Sequence, residues 1–279
     1  MIINGYDFSI GADPEIFVTK DGKPVSAWGL IEGDKKNPRK VGFGAVQVDG
    51  MALEFNINPA RGEAGFLRNL EQVMNTLKEM VPGYEFYDRP VAHFGREYIE
   101  AQPHAAKVLG CEPDYNAYTK GVNPTPDVET PFRTASGHIH IGWTQNTDPF
   151  DPGHFEACCT LTKFLDITLG LPSLIWDDDQ ERRQLYGKAG TFRPKPYGME
   201  YRTLSNRWLR KDLPHLRKCV YGNAIEAIKK AFQNEEGWNV KIQNKSVEEV
   251  INKGDVEAAK FAGKYQNLYT LPATYRGVA

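Results

Sequence analysis

Ile10-Gly11-Ala12-Asp13-Pro14-Glu15-Ile16-Phe17-Val18 is the stretch on which the fold turns. In a strand, residues two apart share a face. Ile10, Ala12, Ile16 and Val18 therefore form an apolar side, and Asp13 and Glu15 stand together on the other. Pro14 has no N–H, which places the stretch at a sheet edge or a bulge. Three more segments repeat the design. Leu53-Glu54-Phe55-Asn56-Ile57-Asn58 sets Glu54, Asn56 and Asn58 against Leu53, Phe55 and Ile57. Gly137-His138-Ile139-His140-Ile141-Gly142-Trp143 sets two histidines against Ile139, Ile141 and Trp143, and Met199-Glu200-Tyr201-Arg202 puts Glu200 and Arg202 opposite Met199 and Tyr201.

Between these segments the chain alternates less regularly. Residues 7–18 and 138–144 read as strands, and residues 45–58 as a hairpin turning at Asp49-Gly50. Residues 63–81 read as a helix with Phe66, Leu70, Val73, Leu77 and Met80 on one face, stopped by Pro82-Gly83. Residues 84–102 suggest further strand, 110–131 a long ordered loop, 154–171 an apolar helix, 187–197 a loop, 198–204 a strand and 213–232 a helix. One or two short helices are expected around residues 247–262. Strands come early and helices late without strict βαβ alternation. That favours α+β with a largely antiparallel sheet, in one domain over residues 1–279 whose residues 237–279 form a peripheral extension.

Net charge is −2 on 34 basic and 36 acidic residues, so no electrostatic argument points to a nucleic-acid or membrane partner. Cys111, Cys158, Cys159 and Cys219 show no C-x-x-C spacing and read as reduced thiols. The first residues lack a basic, apolar leader pattern, and no run of about 18 apolar residues stands out, so a cytoplasmic location is expected.

Taken singly, each two-faced segment is an amphipathic strand with its polar side in water. Solvated faces usually carry Lys, Thr, Ser and Glu; these carry Asp, Glu, His, Asn and Arg. Gathered on one sheet surface, the carboxylates would repel one another unless cations neutralised them. Mostly oxygen donors with one or two histidines suit Mg²⁺ or Mn²⁺ better than a structural zinc. His-x-His alone is weak: residues 143–147 hold no glutamate to complete a cupin-type set, and the other histidines have no context matching a zinc hydrolase.

Gly11-Ala12-Asp13-Pro14-Glu15-Ile16-Phe17 resembles the G-x-E-x-E-F opening of the glutamine synthetase and glutamate–cysteine ligase superfamily. Ser136-Gly137-His138-Ile139-His140 is similar to its G-x-H-x-H strand, and Met199-Glu200-Tyr201-Arg202 to its E-x-R strand, in the same order. Within it, Gly110-Cys111-Glu112-Pro113-Asp114-Tyr115-Asn116-Ala117 and residues 133–140 and 186–195 resemble the phage-encoded carboxylate–amine ligase (amidoligase) branch. The resemblance implies a curved antiparallel sheet like the glutamine synthetase catalytic domain, with helices on its convex face and ATP and Mg²⁺ on its concave one. It implies activation of a carboxylate as an acyl phosphate and attack by an amine. Carried over by position, Glu15, Glu54, His138 and Glu200 would be metal ligands, with Asp13 standing where the family has Glu and reaching a metal through water. His140 and Arg202 would contact the nucleotide phosphates, Arg202 catalytically.

Other assignments rest on the residues alone. Lys188, Arg193 and Lys195 suit a phosphate clamp or a solvated turn. Arg133 would hold the carboxylate substrate or lie on the surface, and Asn56 and Asn58 extend the polar face toward substrate. Asp49 would take a proton from the amine or simply serve its Asp-Gly turn. Cys111 has no base nearby in sequence and reads as a packing residue. The rival functions are a metal-dependent hydrolase using the same cluster without ATP, and an inactive binding protein of this fold. The substrates would be a small or peptide carboxylate and an amine; the oligomeric state is not legible.

Overall fold

A computed structural model describes residues 1–107, 113–124, 130–177, 180–233 and 237–272. Its frame is a sheet of β1 (Ser9–Lys20), β2 (Arg39–Val41), β3 (Gly44–Asp49), β4 (Ala52–Ile57), β5 (Tyr115–Asn116), β6 (Gly137–Gly142), β7 (Thr191–Lys195) and β8 (Gly198–Tyr201). They lie in the order β5-β7-β8-β6-β1-β4-β3-β2, and Lys23–Val25 and Glu85–Tyr87 add to the far end of β1. Among the described residues this sheet has ten strands, all its pairs are antiparallel, and it is open rather than closed into a barrel. The expected α+β class with a large, curved antiparallel sheet is what the chain adopts.

The alternation read from the sequence builds the two faces. Ile10, Ala12, Leu53, Phe55, Ile139, Ile141, Met199 and Tyr201 are buried in the main core. Helix α1 (Glu63–Met80) contributes Phe66, Leu70, Val73 and Leu77 to that core, lying over β3 and β4. Helix α2 (Pro152–Leu165) covers β7 and β8 and is started by Asp151, whose carboxylate accepts the His154 N–H, with Pro152 in its first turn. A π turn, Asp166–Gly170, joins it to α3 (Leu171–Trp176). Helix α4 (His215–Phe232) packs on α2, and α5 (Val247–Lys253) and α6 (Val256–Gln266) add Val250, Ile251, Ala258 and Ala262 to the same core. Joined end to end, Pro152–Trp176 is long and apolar enough to cross a membrane, which the sequence reading did not register; 89% of its apolar window is buried inside the protein.

Four local expectations need correction. Pro14 lies in a central strand, not at an edge: β1 pairs with β6 on one side and β4 on the other. Pro14 faces Gly137, one residue before the ladder to β4 begins, so its missing N–H leaves no ladder bond unmade. Residues 191–195 are strand β7 rather than loop, because Phe192 and Pro194 pack inward opposite Tyr201 and Met199. Residues 84–102 hold two short strands, Glu85–Tyr87 and Val91–His93, and then a helix, Arg96–Glu100, entered through Gly95 at φ +82. The expected loop at 110–131 contains β5; the remainder of that expectation, including Cys111, falls partly on residues 108–112 and 125–129, outside the described residues.

Candidate active site

Antiparallel register decides which polar residues meet, since directly opposed residues share a face. Arg193, Glu200, His140 and Gly11 form one row across β7, β8, β6 and β1. His138 lies opposite Asp13, and Glu15, Glu54 and Gln47 form a third row across β1, β4 and β3. Apart from Gly11, these rows wall a cavity of about 330 Å³ that also takes in Lys35, Asp49, Arg133, Tyr186, Lys195 and Arg202. A second cavity of about 710 Å³ adjoins it, sharing Asp13, Glu54 and His140 and lined by Asn56, Trp143 and Tyr197. The first gathers most of the charged side chains, although Phe17, Met51, Ala52 and Ala106 also line it, and the second is lined mainly by neutral residues.

The acidic groups separate into two sets. Glu200 is buried, which alone would raise its carboxyl, yet Arg202, His138, His140 and Arg193 hold it well below the usual range. It bonds Arg202 and lies 3.5 Å from Arg193 and 3.3 Å from Lys195. Burial likewise opposes ionisation of Asp13, and His140 and His138 overcome it. For Glu15 and Glu54 burial and neighbouring carboxylates outweigh what lowers them, which for Glu15 includes Lys35 and Arg202. Burial, then Asp49, pushes Glu15 up to about 7, although the Ser136 N–H donates to it at 2.8 Å. Burial, then Asp13, Asp49 and Glu15, raises Glu54 well above its ordinary value; Gln47 donates to it at 2.7 Å.

The histidines sit between these groups. Nδ1 of His138 is 3.3 Å from Asp13, 3.2 Å from Glu200 and 3.3 Å from Arg202 Nη1, so two carboxylates that favour a proton on that nitrogen compete with a guanidinium that can only donate to it. Burial and then Arg202 keep the ring below its ordinary pKa. His140 uses Nδ1 on the Tyr197 hydroxyl and turns Nε2 to within 3.0 Å of Asp13 Oδ1, without the alignment of a hydrogen bond. Burial disfavours its charged form, but Asp13 raises its pKa overall.

Three buried carboxylate and imidazole atoms at the cavity make no hydrogen bond among the described residues: Asp13 Oδ1, His138 Nε2 and His140 Nε2. Asp13, His140 and Glu200 each offer a ligand atom within 4.8 Å of one another. Orphaned oxygen and imidazole donors at that spacing fit a divalent cation.

Of the residues expected at a site, Asp13, Glu15, Glu54, His138, His140, Glu200, Arg202, Arg193, Lys195, Asp49 and Arg133 meet at the smaller cavity, and Asn56 lines the larger one. Lys188 is exposed and lines neither, its carbonyl accepting from Thr191 and Thr203. Asn58 lies past the end of β4, is exposed and lines neither. Arg133 is buried and spends Nη1 on the carbonyls of Thr130 and Phe132.

Sequence reasoning missed Lys35, Asp114, Tyr186 and Tyr197. Lys35 pairs with Asp49 at 2.7 Å from a turn folded around Asp34, whose carboxylate accepts the N–H groups of Lys36 and Asn37. Tyr186 bonds Arg202. Asp114 and Tyr186 lie inside stretches that carry the family resemblance, and Tyr197 ends the expected loop at 187–197, but nothing local marks any of the three as a site residue.

No curated protein matches the chain. Residues 130–239, which carry β6, β7 and β8, match a family model described as "Phage phiEco32-like COOH.NH2 ligase-type 2". That match supports a carboxylate–amine ligase family, a name that implies an enzyme forming C–N bonds.

Proposed function

We propose that this protein is an ATP-dependent carboxylate–amine ligase that works with Mg²⁺ or Mn²⁺ in the cytoplasm. The observation that carries the reading is the cluster of Asp13, His140 and Glu200, with its unsatisfied buried ligand atoms, set against Arg193, Lys195 and Arg202 in one cavity. Divalent cations, when bound, supply Lewis acidity and neutralise phosphate charge. Asp13, Glu15, Glu54, His138, His140 and Glu200 are the residues that would hold them.

The remaining steps belong to side chains of the cavity. Arg202, Arg193 and Lys195 stabilise the charge spread over a phosphoryl group as it passes from ATP to a substrate carboxylate. One carboxylate oxygen takes the phosphoryl group and ADP leaves. The amine nitrogen then attacks the acyl carbon, phosphate departs and the amine gives up a proton. Asp49, at the hairpin end of the cavity, is the candidate acceptor for that proton. The smaller cavity suits the reacting groups, and the larger one leaves room for an attached organic portion.

The test begins with nucleotide binding. MgATP should raise the melting temperature, and ATP should be consumed when pools of carboxylates and amines are supplied, with a new amide seen by mass spectrometry. His138→Ala and Glu200→Ala should each abolish consumption while the fold, read by circular dichroism, persists. Metal-dependent turnover without any ATP effect would replace the ligase with a hydrolase, and turnover surviving both substitutions would remove the site itself.

A further inference from the structure

The stretch Gly110-Cys111-Glu112-Pro113-Asp114-Tyr115-Asn116-Ala117 carries part of the family resemblance, and none of the proposed reaction steps uses it. Its Asp114 lies immediately before β5, and the pairing of Tyr115 with Phe192 brings it opposite Arg193. The row across the sheet thereby becomes Asp114, Arg193, Glu200 and His140, with acidic and basic groups alternating. Asp114 Oδ1 accepts a hydrogen bond from Arg193 Nη2 at 3.0 Å and lies 2.8 Å from Arg202 Nε. One carboxylate thus holds two guanidiniums, one from β7 and one from just past β8.

Placement separates Asp114 from its partners. Arg193 and Arg202 both line the charged cavity, whereas Asp114 does not. It braces the two guanidiniums from behind. The contact with Arg202 Nε is close but not aligned as a hydrogen bond. The brace is itself anchored: Tyr115 packs edge-on against Phe155 and contacts Phe192, and the Ala117 N–H donates to the Gly190 carbonyl.

We propose that Asp114 is a positioning residue that sets Arg193 and Arg202 side by side as a two-guanidinium clamp for a phosphate-bearing ligand. Two adjacent cations repel each other, and a shared carboxylate behind them offsets that repulsion while fixing the direction of both forks. The inference rests on the phosphate chemistry proposed above.

The test measures binding of inorganic pyrophosphate and of MgATP to the full chain by calorimetry. Charge alone would make Asp114→Asn bind an anion more tightly, since a negative group is removed. Positioning demands the opposite, a loss of about 10- to 100-fold, the range for residues that orient a ligating group. Placed on Arg193→Ala, Asp114→Asn should add far less to the loss than it does alone, because half of what it braces has gone. Equal or tighter pyrophosphate binding by Asp114→Asn, or full additivity in the double variant, overturns the proposal. Failure of the wild-type chain to bind MgATP at all would instead overturn the ligase reading. Should Asp114→Asn not fold, a structure of the wild-type chain with pyrophosphate decides: both guanidiniums on phosphate oxygens with Asp114 still touching each supports the clamp, and loss of those Asp114 contacts refutes it.

Discussion

Asp166 is a carboxylate with no place at the reacting centre and four donors aimed at it. Tyr201 OH reaches it at 2.7 Å, Tyr118 OH at 3.0 Å, the Gly190 N–H at 2.6 Å and Thr203 Oγ1 at 3.4 Å. Burial pushes its carboxyl up to about 7 against those hydrogen bonds. The network ties the π turn after α2 to β8 and to the turn before β7, which carry Glu200 and Arg193. Asp166→Asn should cost about 2–4 kcal/mol, because an amide NH2, which only donates, would replace an oxygen that accepts two of the four hydrogen bonds. Tyr118→Phe, which removes one of the four, should cost about 1 kcal/mol. Urea unfolding of both variants checks the order, and a cost for Asp166→Asn no larger than that for Tyr118→Phe would contradict it.

At the scale of elements, strands with two chemically distinct faces were legible, and contacts made across long sequence separations were not. β1, β4, β6 and β8 each oppose aliphatic to acidic or basic residues, so period two exposed both their core side and their site side. β7 alternates as well, with Phe192 and Pro194 inward and Thr191, Arg193 and Lys195 outward. The glycines and lysine before it disguised it, although Gly187 and Gly190 belong to the turn that precedes the strand, at φ +72 and +77. Asp114 finds Arg193 79 residues on, and Lys35 reaches Asp49 from a turn; nothing local in either sequence encodes those meetings. Gly137 shows how tightly one element is held. A Cβ there would lie 2.4 Å from Ser205 O and from Trp208 Nε1, whereas one on Gly222 in α4 meets nothing within 4 Å. Gly137→Ala should therefore destabilise by about 2 kcal/mol or more, lowering the melting temperature by roughly 5 °C, while Gly222→Ala should stabilise by about 0.5–1 kcal/mol. Scanning calorimetry of the pair separates packing from helix propensity, and a Gly137→Ala protein melting with the wild type would show that β6 yields easily.

For the molecule as a whole, collecting these carboxylates on one face ties stability to protons and to metal. Glu15, Glu54 and Asp166 all hold their protons more tightly when folded than when unfolded. The folded chain therefore binds more protons between about pH 4.5 and 7, and stability falls as pH rises through that window. His140, also raised, acts in the same direction, since its stabilising charge is lost as pH climbs through its folded pKa. His138, lowered, opposes them, since the penalty it imposes in acid is relieved as pH rises toward 6.5. Asp13 and Glu200 are held low, so the stability they lend is present at neutral pH and disappears only under acid conditions, below about 4. Glu15 alone, moved from 4.5 to about 7, accounts for on the order of 3 kcal/mol. The metal-free protein should accordingly melt several degrees lower at pH 8 than at pH 5. Mn²⁺ should reverse this, raising the melting temperature far more at pH 8 than at pH 5, where protons compete for the same oxygens and imidazoles. Metal titrations followed by calorimetry at the two pH values check both halves. An equal Mn²⁺ shift at pH 5 and pH 8 would mean that the ion binds elsewhere than among Asp13, Glu15, Glu54 and Glu200, and a metal-free protein more stable at pH 8 would mean that Glu15, Glu54 and Asp166 do not hold their protons as their burial implies.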